Sequence, residues 1–208
     1  MIGHHPMTAP PKPPLAADRV VDGRRLRSEA SRLRIVEAMI ALVSEGLAMP
    51  PAEAVAARAG VGLRTVFRLF EDMDGLYRGI QAVMIERLGG LLEGPIEAAG
   101  WRQAVDILID RRAEAFEMIL PLQIAADSPR TRSAALREGR LRLVQAQRDT
   151  LLAVLPAPVQ ADAGLIEALD LAVSFEAWRR LRTDQQLDSD MARTVMRRLA
   201  HALLDGLA

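Results

Sequence analysis

Hydrophobic residues recur along most of this chain at intervals of three and four positions. The first clear run begins near Ser28 and ends at Gly46. Its apolar positions are Leu33, Val36, Met39, Ile40 and Val43. This spacing places the side chains on one face of an α-helix. No segment alternates between apolar and polar residues as a β-strand would, so the pattern predicts an all-α fold of about nine helices.

Glycine, proline and capping residues mark the limits of the other predicted helices. These cover about residues 50–59, 63–70, 72–88, 101–121, 128–155, 161–183 and 189 to the end. Gly60 separates the second helix from the third, Asp72 can cap the fourth, and Pro121 kinks or ends the fifth. Residues 1–23, with five Pro in the first fourteen positions, are predicted to be a disordered Pro-rich tail.

The composition excludes several kinds of active site. The 208 residues include no Cys, so disulfides, thiolate nucleophiles and cysteine zinc sites are absent. Two of the three His, His4 and His5, lie in the Pro-rich tail. We therefore expect no enzyme activity and no cofactor. No apolar run approaches the roughly 20 residues that cross a bilayer, and no leader pattern is present, so the sequence predicts a cytoplasmic protein without a membrane partner.

Charge is unevenly distributed along the chain. Residues 1–70 hold ten Lys and Arg against six Asp and Glu, a net of +4, and the remainder holds 17 against 21, a net of −4. A basic N-terminal third favours a polyanion partner at that end of the molecule. Every basic residue except Lys12 is Arg, which suits bidentate contact with phosphates and base edges.

The second and third predicted helices have the spacing of a helix-turn-helix. Ala56 supplies the small residue where the helices cross, and Gly60 tolerates the positive φ of the turn. Val66 then covers the junction from the third helix. The outer face of that helix carries Leu63, Arg64, Thr65 and Arg68, of which Arg can read guanine and the Thr methyl can touch thymine. The alternative interpretation is a helical hairpin inside an ordinary bundle.

Residues 28–77 resemble the N-terminal domain of the tetracycline-repressor (TetR) family of transcription regulators. The resemblance is carried by Ile35–Ala38, Glu45-Gly46, Val55–Val61, Thr65–Phe70 and Leu76-Tyr77. It implies a DNA-binding domain over 24–72 and a helical ligand-binding and dimerisation domain over 73–208. The DNA contacts expected on this basis are Arg24, Arg25, Arg27, Gly62, Leu63, Arg64, Thr65, Phe67 and Arg68. The helix opening at Gly62 also leaves N–H groups for a phosphate.

Several positions depart from the family pattern. The family tends to have Thr-Ser where this chain has Pro50-Pro51, a Ser cap at Gly62, Tyr at Phe67, Tyr or His at Leu69, and Lys at Met73. Each replacement removes a group that would bind a phosphate. We therefore expect weaker DNA binding or greater reliance on the arginines.

The resemblance also implies a small-molecule pocket in the C-terminal domain, for which the chain has no motif. The candidate lining residues are Met84, Leu88, Trp101, Val105, Leu108, Arg112, Phe116, Gln145, Phe175 and Trp178. The apolar ones could equally be plain core. Arg112 interrupts an apolar stripe and could bind an anionic group, form an ion pair or extend its head to solvent.

The last two predicted helices are the candidates for a dimer interface. Their apolar faces consist of Leu165, Leu169, Ala172, Val173, Met191, Val195, Leu199, Ala202 and Leu203. Two such helices from each protomer would form a four-helix bundle.

The sequence thus favours a homodimeric DNA-binding regulator, a repressor that a small apolar or amphipathic ligand releases from a pseudo-palindromic operator. The alternative is a DNA-binding regulator without such a ligand, in which the C-terminal domain serves only dimerisation or a protein partner. A cavity of a few hundred Å3 with some polar lining would distinguish the first from the second.

Overall fold

The computed structural model describes residues 16–92 and 94–206, with side chains from Arg25 onward. These residues form α1 (Ala16–Ser44), α2 (Ala52–Ala59), α3 (Leu63–Phe70), α4 (Met73–Leu92), α5 (Trp101–Arg130), α6 (Ala134–Val154), α7 (Ala157–Gln160), α8 (Ala163–Ala172), α9 (Phe175–Arg179), a π-helical turn (Arg180–Asp184) and α10 (Ser189–Asp205). The described ranges contain no strand, and the prediction of an all-α fold is confirmed.

The first helix begins earlier than the apolar pattern predicts. Its backbone is helical from Ala16, whereas the sequence placed residues up to 23 in the tail and the helix start near Ser28. No Pro follows Pro14 until Pro50, so nothing in residues 16–27 breaks a helix. The rest of the predicted tail, residues 1–15, lies outside the described residues.

Two further boundaries differ from the prediction. α5 continues through Pro121 and Pro129 to Arg130, because Ile119 before Pro121 is buried and Leu122 after it also packs on the core, which offsets the cost of a helical Pro. The predicted helix over 161–183 is divided into α8, α9 and the π-helical turn. Asp162 and Ser174 each accept a bond from a backbone N–H three residues on, at 3.0 and 3.1 Å, and so begin new helices.

α1, α2 and α3 pack together as an N-terminal unit, referred to below as the head. Its core consists of Ile35, Val36 and Met39 of α1, Val55, Ala56 and Ala59 of α2, and Val66, Leu69 and Phe70 of α3. Gly60 has φ 64°, the left-handed conformation that the turn requires, and Val61 donates to the Ala56 carbonyl at 3.0 Å. The predicted junction of Ala56, Gly60 and Val66 is thus formed by these residues.

α4 joins the head to the rest of the chain, referred to below as the body. It packs on α1 and α3 and also on α5 and α6. The start of α4 lies very close to the end of α3, because a Cβ built on Gly75 would lie 2.0 Å from the Phe70 carbonyl oxygen. One turn later, a Cβ on Gly79 would lie 3.0 Å from both the Phe70 ring and a Val36 methyl. Glycine therefore sets the distance between the two helices.

The body is built around α5, whose buried side pairs with α1, α6, α9 and α10. Val105, Leu108 and Ile109 are buried in its first half, and Phe116 and Ile119 in its second. Phe116 meets Phe175 edge-on at 5.5 Å between ring centroids, and Trp178 lies 6.4 Å from Phe116. The Trp178 indole is completely buried and satisfies its N–H by donating to Glu117 at 2.8 Å.

Replacing Gly75 with Ala is expected to destabilise the protein by about 1–3 kcal/mol, because the new methyl group must displace the backbone of Phe70. Gly90→Ala is the matched control in the same helix. A Cβ there has no neighbour within 4 Å, so we expect a neutral change or a gain of up to about 1 kcal/mol. Urea denaturation of both variants measures the difference, and equal unfolding free energies would contradict this account of the α3–α4 junction.

Candidate nucleic-acid interface and adjoining cavity

α3 has two arginines on the side that faces away from the core of the head. Arg64 and Arg68 are exposed, and neither forms an ion pair or side-chain hydrogen bond with any residue in the described ranges. They lie four positions apart, on the same side of the helix. Val66, Leu69 and Phe70 occupy the opposite side and are buried. The outer face of α3 therefore offers two guanidinium groups that the protein itself does not use.

α1 fixes the position of α3 through Arg32. Its guanidinium donates to the carbonyl oxygen of Leu69 and lies 4.6 Å from the centroid of the Phe70 ring. A cation at this place is favourable because the C-terminal carbonyls of a helix carry partial negative charge. Gly75 of α4 approaches the same end of α3, so contacts from both α1 and α4 fix the C-terminal end of α3.

The other predicted DNA contacts lie in different environments. Gly62 begins α3 without a side chain to cap it, and Leu63 and Thr65 are only half exposed. Phe67 is 46% exposed. Arg25 lies 3.6 Å from Glu29 in an exposed pair, and Arg27 is exposed. The backbone of Arg24 belongs to α1, but its side chain lies outside the described residues.

The N-terminus of α2 is poorly suited to bind a phosphate. Pro51 is the N-cap and provides no side-chain hydrogen bond, and Glu53 places a carboxylate in the first turn. At the other end, Arg58 donates to both oxygens of Glu45 at 2.7 and 2.6 Å. That contact raises the pKa of Arg58 and lowers the pKa of Glu45. Arg58 is thus committed to the loop after α1, and α3 carries most of the uncommitted positive charge of the helix-turn-helix.

A large cavity adjoins the head and extends into the body. Its volume is about 860 Å3, within the range of small-molecule sites, and its lining is mostly apolar. α1, the α1–α2 loop, α2, α3, α4, α5 and α6 all contribute. Representative lining residues from these segments are Met39, Pro50, Glu53, Phe67, Tyr77, Met84, Leu88, Arg112, Phe116, Leu143 and Thr150.

Four of the ten predicted pocket residues line this cavity: Met84, Leu88, Arg112 and Phe116. Phe175 and Trp178 lie behind Phe116 in the core. Val105 and Leu108 are buried in the first half of α5 and Trp101 lies at its start, outside the lining. Gln145 is exposed and donates to Asp149 at 2.8 Å. These six positions are therefore corrected to core or surface, because the cavity borders α5 only from Arg112 onward and a different face of α6.

Gln145 was the one residue of α6 predicted to line the pocket, and the residues of α6 that do line the cavity were missed. The lining residues of α6 are Leu136, Gly139, Arg140, Arg142, Leu143, Ala146, Gln147 and Thr150. Most of them follow the spacing of three and four that marks one helical face. Since six of these eight residues are small or polar, the hydrophobic pattern did not mark this face, although its residues have helical spacing.

A polar contact links the start of α4 to the start of α6. The Ser133 hydroxyl donates to Asp74 at 2.6 Å and accepts from the Leu136 N–H at 3.1 Å as the cap of α6. The Ala135 N–H also donates to Asp74, at 3.2 Å. These hydrogen bonds, that of Ser133 foremost, lower the pKa of the Asp74 carboxyl. Two turns along α4, Gln81 donates to the Ala135 carbonyl at 2.9 Å.

Comparison with solved structures identifies the architecture. A transcriptional regulator from Rhodococcus sp. RHA1 superposes with a TM-score of 0.64 at 17% identity, over 84% of this chain and 96% of that one. A TetR transcriptional regulator from the same organism gives 0.58 at 23% identity, over 88% and 100%. A TetR-like regulator gives 0.55 at 17%, over 85% and 96%. The chain has the fold of TetR-type regulators. No protein-family model and no curated sequence matches it.

Within this TetR-type fold, the residues predicted for the dimer interface divide into two groups. Met191 and Leu199 of α10 are 50% and 46% exposed, Ala202 is exposed, and Val195 and Leu203 are partly exposed beside them. Leu165 and Ala172 of α8 are also partly exposed. Leu169 and Val173 are buried at 1% and 0%, so the expectation for them is corrected to the protomer core. The spacing of apolar residues predicts an apolar face on a helix, but it does not distinguish a face buried in the protomer core from one exposed at its surface.

The described ranges contain neither a membrane-spanning helix nor a cluster of metal-ligating side chains. No helix there combines the length and apolar character that would let it cross a membrane. Those ranges also hold no group of three or more His, Asp or Glu side chains placed to share a metal ion.

Asp74→Asn is expected to lower the free energy of unfolding at neutral pH, and the difference from wild type should disappear in acid. Because the folded pKa of Asp74 lies below the ordinary 3.8, the carboxylate stabilises the fold above that pH, and its contribution disappears as the pH falls through the lowered value. Urea denaturation from pH 7 downward should show the two unfolding curves converging below 3.8. Asp149→Asn, at an exposed carboxylate of α6, is the control, and a constant difference between wild type and Asp74→Asn would contradict this role.

Proposed function

We propose that the chain is a TetR-family transcriptional regulator that binds double-stranded operator DNA as a homodimer. The observation that carries the proposal is the outer face of α3, where Arg64 and Arg68 are exposed and have no partner in the described part of the chain. The second helix of a helix-turn-helix can enter the major groove, where Arg reads guanine. The same reasoning places the protein with the DNA, in the cytoplasm.

The apolar face of α10 supports the homodimer. Its half-exposed positions, Met191, Val195 and Leu199, follow one another at intervals of four and would be costly to leave in water as a continuous stripe. Pairing this face about a two-fold axis would set two recognition helices roughly 34–36 Å apart, one turn of DNA. The operator would then be a pseudo-palindrome.

The sequence departures predict how this chain divides its DNA contacts. Pro51 and Glu53 leave the start of α2 without a phosphate-binding group, Gly62 adds none, and Leu69 is buried. Phosphate contacts then depend on the N-terminal N–H groups of α3 and on Arg25 and Arg27 of α1. We expect a shallower dependence of binding on salt than a protein with all of these contacts would show.

The cavity supports release by a small molecule. A domain that serves only dimerisation would be expected to have a filled core, whereas this cavity has a volume of about 860 Å3 and both apolar and polar lining residues. The cavity therefore favours the ligand-controlled regulator over the regulator without a ligand. The lining includes Pro50 and Phe67 of the head as well as residues of the body, so an occupant would bear on both. A ligand that prefers one head spacing would change operator affinity by about 1–3 kcal/mol.

Arg64→Ala is expected to lower affinity for the operator by about 1–3 kcal/mol and to relax the base preference at one position. The operator is obtained by selecting bound fragments from random DNA, and affinity is measured by fluorescence anisotropy. Arg148→Ala removes an arginine that pairs with Glu167 in the body and should leave binding unchanged. If the Arg64 variant binds the selected operator as tightly as wild type, Arg64 does not read the DNA.

Leu199→Glu is expected to shift the protein from dimer to monomer, because it places a charge in the apolar face of α10. Operator affinity should fall in parallel, since a monomer has only one head. The control is Leu141→Glu on α6, where the leucine is 70% exposed and lies outside the proposed interface. Analytical ultracentrifugation gives the mass, and a dimer that persists in the Leu199 variant would move the interface elsewhere.

A further inference from the structure

Arg112 is a buried cation that has no carboxylate in contact with it. Its side chain is 1% exposed, and it forms no ion pair with a residue in the described ranges. Instead the guanidinium donates to the carbonyl oxygens of Val173, at 2.9 Å, and Gln147, and to the Thr150 hydroxyl at 3.0 Å. The Nε–H has no acceptor among the described residues. Burial lowers the pKa of Arg112 to about 10, and the charge of Asp170 acts in the opposite direction.

This cation lies on the wall of the cavity. Gln147 and Thr150, which contact it, line the cavity as well, and Met84, Phe116 and Leu143 surround this polar patch with apolar surface. A charge buried in this way is costly unless an opposite charge accompanies it. The fold thus leaves a positive charge, and one unused donor, at the edge of an apolar space.

The other arginines of the lining differ from Arg112 in this respect. Arg130 lies 2.9 Å from Asp127, Arg140 pairs with Glu176, and Arg142 lies 3.9 Å from Glu138. Each of them therefore already has an acidic partner, although Arg130 Nε and Arg140 Nη1 are, like Arg112 Nε, buried without an acceptor among the described residues. What distinguishes Arg112 is that it has no acidic partner there. Among the lining residues that the structure describes, the single carboxylate is that of Glu53, in the first turn of α2 in the head.

We propose that the cavity binds an amphipathic carboxylate, with its carboxylate group beside the guanidinium of Arg112 and its apolar body along α4 and along α5 from Arg112 onward. A carboxylate suits the patch better than a phosphate, because one unused donor cannot satisfy three phosphate oxygens in an apolar space. The inference rests on the proposed function only in taking this molecule as the effector of the regulator.

The wild-type protein provides the first test. Full-length protein is titrated, below micelle-forming concentrations, with dodecanoate, dodecan-1-ol and dodecylammonium, which share one chain and differ in the head group. Isothermal calorimetry measures each affinity. Because only the anion forms an ion pair with the buried guanidinium, dodecanoate should bind about 10- to 100-fold more tightly than the alcohol. Equal affinities for the carboxylate and the alcohol would overturn the proposal.

Variants then locate the head group. Arg112→Met should lose the preference for dodecanoate while still binding dodecan-1-ol, which shows that the cavity remains folded. Arg140→Met is the matched control from the lining and Arg148→Met the control from outside it, and both should keep the preference. Loss of the preference in Arg140→Met, or its survival in Arg112→Met, would overturn the assignment to Arg112.

A second measurement covers the case in which Arg112→Met does not fold, since Arg112 also holds Val173 and Gln147. Dodecanoate labelled with 13C at the carboxyl carbon is bound to the wild-type protein and titrated by NMR. Beside a buried guanidinium the bound acid should ionise at lower pH than the free acid. Ionisation at the same or a higher pH would overturn the proposal. Operator binding without ligand is measured separately, so failure of the regulator and failure of the ligand assignment give different results.

Discussion

The relation between head and body depends on how closely α4 approaches α3. Gly75 has no room for a side chain because the backbone carbonyl of Phe70 occupies that space. The aromatic ring of Phe70 is covered by Arg32 of α1. A recognition helix can present its arginines to DNA only if its own axis is fixed. Here the end of α3 is fixed by contacts from α1 and α4, and any tilt of α4 must carry α3 with it.

α4 is bound as firmly on its other side. Asp74 accepts bonds from Ser133 and Ala135, and Gln81 donates to the Ala135 carbonyl, so the start of α6 is connected to two turns of α4. The cavity lies among these helices and has Arg112 on its wall. An occupant that displaces α6 or the second half of α5 therefore acts on α4 directly. The chain of contacts from the cavity to α3 is short and consists of packed side chains and hydrogen bonds.

The sequence predicted the head better than the body. In the head, the turn at Gly60 and the buried positions Ala56 and Val66 are local, since they follow from spacing within about ten residues. The pocket depends on which helices meet, and periodicity carries no information about neighbours. Phe175 and Arg112 both lie on inward faces, yet one is core and the other lines the cavity. Leu169 and Val173 were assigned to an interface for the same reason, because an apolar stripe does not say what covers it.

The helical start of the chain changes how its basic residues can act. Arg25 and Arg27 belong to α1, which continues unbroken to the buried Ile35, so about 15 Å of regular backbone separates Arg25 from the core of the head. A flexible arm would lose about 1–2 kcal/mol of backbone entropy for each residue that it orders on a polyanion. A rod that is already ordered has lost this entropy on folding. The distance at which Arg25 and Arg27 can act is therefore set by the length of the helix, whereas a flexible segment would sample many distances.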